Sequence, residues 1–308
     1  MQSSGDLLAD RRYAYAKSAL DEGDWPVAAD LARQALELAP GFTIAWFLLG
    51  DAREQMIAAE PAARDEALAA FTEARRLDPS DALGAGIRLA LLGAEEPQRA
   101  MSAAYVQSLF DEYAIRFDRH LRQGLGYRGP ELLHDAVRRA CSRMLRSFRF
   151  DLMLDLGCGT GLAAEVFRPE CRRIAGVDLS PAMVRKAQAK RIYQEVEVGD
   201  LVPWLEAWPA GAADLVLAAD VFVYVADLAP VFGAAASALD REGLFAFTVQ
   251  EHAGDGVVLG DDHRFAHSET YLRGLAEACS LHPMILERVS TRQDRGQDVP
   301  GLLMVLER

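Results

Sequence analysis

The chain is 308 residues long, 51% hydrophobic and 26% charged, with a formal net charge of −13; that suffices for about two globular domains and excludes a disordered chain. No uninterrupted apolar run reaches the roughly 18 residues of a bilayer span, and Met1–Asp6 lacks the basic-then-apolar pattern of a secretory signal, so a cytoplasmic protein with no membrane partner is expected. An acidic surface repels phosphate backbones, which argues against nucleic acid as a partner, and four cysteines scattered without ligand spacing predict reduced thiols and no metal site.

The first hundred residues are alanine-rich and helical in period, and they repeat. Gly23, Trp25, Ala28, Ala32, Ala35 and Pro40 form one helix-turn-helix pattern, and Trp46, Leu49, Gly50, Ala67, Phe71, Ala74 and Pro79 form a second. The two prolines lie 39 residues apart, and about five extra residues in the turn around Ala58–Ala63 bring that to a period of about 34. A third helix is predicted over 82–92. This segment, 1–98, resembles tetratricopeptide repeats. The resemblance implies an all-α domain that docks on its neighbour or takes a protein partner.

Residues 99–149 read as a helical bridge. Val106, Phe110, Tyr113, Phe117 and Leu121 make one aromatic stripe at helical spacing, and Pro130 is a good first residue for the next helix. From 150 to the end, apolar strands alternate with helices, at 152–157, 173–178, 193–198, 213–219, 243–250, 284–290 and 300–306. Such alternation predicts an α/β fold with an open sheet covered on both faces.

The first of these strands runs into Leu154-Asp155-Leu156-Gly157-Cys158-Gly159-Thr160-Gly161. A glycine-rich turn between strand and helix lets a ligand touch bare backbone near the helix's positive end. A dinucleotide fingerprint needs its third glycine five residues after the first, but that position is Leu162. Further acids end the following strands: Asp178 after Ile174–Val177, Asp200 after Val196–Gly199, and Asp220 after Ala213–Ala219. Taken singly, a strand-terminal aspartate is as often only a helix cap. Taken together, at the carboxyl ends of strands where open α/β sheets bind ligands, they form one pattern.

That pattern resembles the class I S-adenosylmethionine-dependent methyltransferases, over about residues 102–308. The resemblance implies a Rossmann-like seven-stranded sheet whose last strand inserts antiparallel, with S-adenosylmethionine as the cofactor. It implies that the backbone at Gly157, Gly159 and Gly161 meets the methionine part and that Asp155 accepts from its ammonium. Asp178, with Leu179 beside it, takes the ribose hydroxyls. Asp200 takes the adenine amino group, Leu201 and Met183 pack on the ring, and Asp220 ends the strand facing the transferring methyl. The bridge resembles the lid of small-molecule methyltransferases. Tyr105 is then a cofactor contact, Tyr113 a catalytic candidate and Tyr127 a substrate contact, although each fits helix packing equally well.

Between the fifth strand and its helix, residues 251–268 read as a polar loop holding three of the six histidines. Arg264 is positioned there to bind a substrate anion, and His267 is the candidate general base and substrate contact, with Ser268 capping the next helix as its plainer alternative. His252 and His263 are weaker candidates. The function expected from all this is methyl transfer to a small molecule by in-line displacement. Two other readings stand beside it: a protein acceptor recruited by the repeats, and an interaction protein that binds the cofactor without turnover.

Overall fold

The computed structural model describes residues 3–294 and 296–308, which divide into two compact units, one ending at Tyr105 and the other spanning Val106–Arg308. In the first, α1 (Leu7–Asp21), α2 (Trp25–Leu38), α3 (Thr43–Met56), α4 (Ala63–Leu77) and α5 (Ala85–Leu91) each pack on the next. Asp6 starts α1 by accepting from the Leu8 and Ala9 N–H groups. Asp24 does the same for α2 through Val27, with Pro26 in the first turn. Ala28, Ala32 and Ala35 are fully buried, small enough to let helices approach closely. At Gly50 on α3 a Cβ would lie 2.5 Å from the Phe71 ring on α4, so only glycine fits there. Pro40 and Pro79 follow the ends of α2 and α4, where a proline cannot continue a helix. The third helix begins at Ala85 rather than 82. Asp81, buried and left-handed at φ +53°, spends its carboxylate on the Ala85 and Gly86 N–H groups and so fixes the start of α5.

Helix α6 (Ala103–Tyr113) crosses the boundary between the units. The bridge continues through α7 (Phe117–Arg119), a π-helical stretch at His120–Gly124 and α8 (Gly129–Arg143). Then β1 (Phe150–Leu156), α9 (Leu162–Phe167), β2 (Cys171–Asp178), α10 (Pro181–Ala189), β3 (Glu195–Val198), α11 (Leu201–Glu206) and β4 (Ala213–Ala218) alternate. After them come α12 (Ala229–Ala238), β5 (Leu239–Glu251), β6 (Val257–Leu259), β7 (Phe265–His267) and α13 (Glu269–Ala278). The chain closes with β8 (His282–Val289), β9 (Gln293–Asp294), β10 (Gln297–Asp298) and β11 (Gly301–Glu307).

The seven long strands lie in the order β3-β2-β1-β4-β5-β11-β8, parallel except for β11, which runs antiparallel to both β5 and β8. This is the seven-stranded Rossmann-like arrangement, with the antiparallel insertion of the last strand. Period-two alternation splits the core between the two faces. Leu152, Leu154, Leu156, Val216 and Phe247 pack with Val231 and Phe232 of α12, while Met153, Ile174, Leu217 and Val305 pack with Leu133 and Val137 of α8 and Phe167 of α9.

The segment expected as a loop at 251–268 is instead a small hairpin. β7 pairs parallel with the end of β5, and β6 pairs antiparallel with β7, widening the sheet to nine strands. Val257, Val258, Leu259, Phe265 and Ala266 supply its apolar residues. Their runs are too short, and too closely flanked by glycine and aspartate, to register as strands on pattern. The β9–β10 hairpin was likewise invisible, since Gln-Asp pairs carry no strand signal.

Candidate active site

The turn between β1 and α9 is built from three left-handed glycines: Gly157 and Gly159 at φ +54°, and Gly161 at φ +88°. Here glycine is required twice over. A Cβ at Gly157 would meet the Val221 side chain at 2.6 Å, and one at Gly161 would meet the Tyr193 ring at 3.0 Å. The turn is stitched to the end of β2. The Cys158 N–H donates to the Val177 carbonyl at 2.9 Å, and the Gly159 N–H donates to an Asp178 carboxylate oxygen at 2.9 Å. The other Asp178 oxygen accepts from the Ser180 N–H at 2.8 Å. Each oxygen keeps a lone pair for a further donor. Burial raises the Asp178 carboxyl above its usual range, against the pull of those two N–H groups.

Asp155 is buried beneath the turn, and its carboxylate accepts from the Tyr193 hydroxyl at 2.6 Å. Burial pushes its pKa up to about 7; the Tyr193 hydrogen bond opposes that and the charge of Asp178 adds to it. Among the described residues no cation pairs with this carboxylate. Met183 is wholly buried in α10, and Leu179 and Leu201 are half-buried. Asp200 is exposed and caps α11 through the Val202 N–H at 3.0 Å. The cap occupies one of its carboxylate oxygens.

Residues 106–128 are tied onto this turn. The Asp111 carboxylate accepts from the Ser180 hydroxyl at 2.6 Å and the Ala182 N–H at 3.0 Å, at the start of α10. Thr160, inside the glycine turn, donates its hydroxyl to Asp118, and Lys190 pairs with Asp118 at 3.5 Å and Glu165 at 2.8 Å. The Phe117 ring passes over Gly159, so close that a Cβ there would touch it at 3.8 Å. Phe110 packs edge-on against Tyr224 (ring centroids 5.2 Å apart), and Phe117 edge-on against Tyr113 (also 5.2 Å). The Tyr113 hydroxyl bonds Nδ1 of His120, and burial raises the phenol pKa, so the group stays protonated.

At the ends of β4 and β5 lies a second polar group. Asp220 takes a left-handed conformation, φ +61°, held by its N–H donating to the Thr248 hydroxyl at 2.9 Å. Arg292 Nη1 reaches both Asp220 oxygens, at 2.9 and 3.1 Å, while Nη2 donates to Gln250 at 3.2 Å. Only 4% of Arg292 is exposed, so this is a buried ion pair. Half-buried Tyr127 lies within reach of Asp220's charge; burial first, and then that charge, raises its phenol pKa well above the usual value. Arg264 lies over the Tyr224 ring, 5.9 Å from its centroid.

The structure therefore gathers Asp155, Asp178, the three glycines, Asp220, Tyr113, Tyr127 and Arg264 around the carboxyl ends of the central strands. It does not bring His267 or His252 into that group. His267 is fully buried on β7, donates Nε2–H to the Val225 carbonyl at 3.0 Å and stacks on Tyr271. Burial lowers its pKa to about 4, leaving it neutral. Ser268 caps α13 through the Tyr271 N–H. His252 accepts from the Gly254 N–H and donates to the Gly256 carbonyl, which organises its own loop. Tyr105 ends the first unit, its ring packed on Gly84. Residues that pattern alone did not reveal are Asp111, Asp118, Tyr193, Tyr224 and Arg292. Only Tyr193 had a signal, an aromatic next to a strand start.

Residues 154–247 match the family model described as a methyltransferase domain. The chain is 37% identical over 109 residues to methyltransferase-like protein 27 of Homo sapiens, covering 35% of this chain and 43% of that protein. It is 31% identical over 87 residues to the uncharacterized methyltransferase C70.08c of Schizosaccharomyces pombe, covering 28% and 32%. The chain thus spans less than half the length of these curated relatives. Among solved structures, the N-methyltransferase NodS of Bradyrhizobium japonicum WM9 in complex with S-adenosyl-L-homocysteine is similar at 20% identity and a TM-score of 0.49, over 66% of this chain and 97% of that one.

Proposed function

We propose that this chain is an S-adenosylmethionine-dependent methyltransferase acting on a small molecule, with N-terminal tetratricopeptide-like repeats. The observation that carries the reading is Asp178. Its carboxylate both fixes the glycine turn of a matched methyltransferase domain and keeps one free lone pair on each oxygen. Two vicinal hydroxyls, such as a ribose offers, are the donor set that fits. Asp155 fits the same ligand. A buried carboxyl lifted to about 7 without a cation partner among the described residues is suited to an ammonium group, which supplies the missing charge. The glycine cradle, which a Cβ at 157 would fill, accommodates a chain passing close to bare backbone.

Bound here, S-adenosylmethionine would supply a sulfonium methyl whose carbon an acceptor lone pair attacks in line as the carbon–sulfur bond breaks and S-adenosylhomocysteine leaves. This chain's residues bind, orient and exclude water. Asp178 holds the ribose, Leu179, Met183 and Leu201 form the apolar side of the adenine site, and Asp200 accepts from the adenine edge with the oxygen its cap leaves over. Residues 106–128, bonded to the turn through Asp118 and to α10 through Asp111, cover the cofactor with Phe110, Tyr113 and Phe117. Aromatic faces there meet a sulfonium favourably and keep the site dry. Tyr113 stays a protonated donor, and His267, neutral and tied to Val225, contributes shape rather than charge. Catalysis rests on positioning. The paired helices, the buried alanines and the Gly50–Phe71 approach support the repeat reading, and such repeats commonly dock a protein.

The test is transfer itself. The full-length chain is incubated with methyl-labelled S-adenosylmethionine and a panel of small organic acceptors, and label is followed into the small-molecule fraction. Labelled product that disappears with Asp178→Ala is expected; label appearing only in added protein, or nowhere, contradicts the reading.

A further inference from the structure

Arg264 is the one cation beside Asp220 that is not committed to a carboxylate among the described residues. Asp220 is already spent on Arg292, which reaches both its oxygens. Asp262, two residues away, accepts from Gln250 at 3.2 Å. Arg264 itself is half-buried, with its guanidinium over the Tyr224 ring. Its backbone is fixed: the Gly260 N–H donates to the Arg264 carbonyl at 2.8 Å and the His263 N–H to the Gly260 carbonyl at 2.9 Å, which closes the β6–β7 hairpin. Tyr224 is in turn held edge-on by Phe110. The guanidinium is thus presented by a rigid hairpin and an aromatic platform, next to the residue that ends β4.

From this we infer that the methyl acceptor carries a single carboxylate, bound by Arg264. A half-buried guanidinium loses hydration and gains most from a planar anion that accepts two parallel N–H donors. The local charges decide which anion. Arg292 and Asp220 cancel, and the exposed Asp262 carboxylate offsets part of the charge on Arg264, so no more than one positive charge faces the acceptor, which matches a monoanion. A doubly charged phosphate would keep one charge uncompensated near Asp220. The neighbouring rings of Tyr224, Phe110, Phe117 and Tyr113 suit an acid with a flat apolar body. The anion serves recognition and not reaction, since a cation on the attacking atom would withdraw its lone pair.

The inference rests on the proposed methyl transfer, and the test separates the two. The full-length chain is first titrated with S-adenosylhomocysteine by calorimetry. The saturated protein is then titrated with benzoate, cinnamate, indole-3-acetate and phenyl phosphate, and with the amides of the three acids. At least one acid is expected to bind ten or more times tighter than its own amide and than phenyl phosphate. Arg264→Gln is expected to erase that preference while binding S-adenosylhomocysteine like the wild type and melting at the same temperature, and Arg264→Lys to restore part of it. Equal binding of acids and amides, no binding of any acid, tighter binding of phenyl phosphate, or a preference that survives in Arg264→Gln overturns the carboxylate subsite. Failure of the first titration overturns methyl transfer instead. Should Arg264→Gln not fold, the acid-against-amide comparison in the wild type still decides.

Discussion

Asp155 shows how one residue's setting yields a measurable property. Its carboxyl is lifted from 3.8 to about 7, chiefly by burial. A carboxyl raised on folding favours the folded state fully below its unfolded pKa, and that contribution is lost as pH rises from about 4 through about 7. Asp155→Asn removes the buried charge but keeps an acceptor for Tyr193. It is therefore expected to raise the melting temperature by several degrees at pH 8 and to change little at pH 4, as calorimetric scans at the two pH values would show. Arg292 makes the opposite case. Truncating it to Ala leaves half-buried Asp220 without its ion-pair partner, a loss of up to about 3–5 kcal/mol that a urea titration would read; a change within 1 kcal/mol would show that solvent screens Asp220. At Gly50 the Phe71 ring leaves no room for a side chain, so Gly50→Val is expected to destabilise the first unit by about 1–3 kcal/mol, again measured by denaturant.

Among the elements, the glycine turn and residues 106–128 belong together. The turn was legible in the sequence because three glycines at that spacing, after an apolar strand, have few other uses. The attachment of 106–128 was not. Asp111 and Asp118 look like ordinary solvated helix residues, and only folding brings them to Ser180 and Thr160. The same limit explains Arg292: it sits 72 residues from Asp220, on a segment without strand period, so no local pattern links them. Conversely, the predicted strands at β1, β2, β4, β5, β8 and β11 were readable from their apolar runs, and β3 from the alternation of Glu195–Val198, whereas β6 and β7 were too short to stand out. The proposed covering of the cofactor by residues 106–128 predicts that Thr160→Val, which deletes the Asp118 hydrogen bond while keeping volume, speeds release of S-adenosylhomocysteine by about three- to tenfold, in line with the loss of one part-buried hydrogen bond. Stopped-flow displacement would measure it; an unchanged release rate would mean that 106–128 does not gate the cofactor.

For the whole molecule, the sheet, its two covering layers and every candidate cofactor residue but Tyr105 lie in Val106–Arg308. Removing residues 1–98 is therefore expected to leave S-adenosylhomocysteine affinity within about twofold, checked by the same titration. A loss of about tenfold or more, beyond 1.4 kcal/mol, would make the N-terminal helices part of the cofactor site. The central claim is that Asp178 joins the glycine turn to a ribose. Calorimetric titration of S-adenosylhomocysteine into the full-length wild type and Asp178→Ala tests it most directly. Saturable one-to-one binding by the wild type, weakened at least a hundredfold in the variant while adenosine-free homocysteine binds neither, is the predicted result; no binding by the wild type, or equal binding by both, would contradict it.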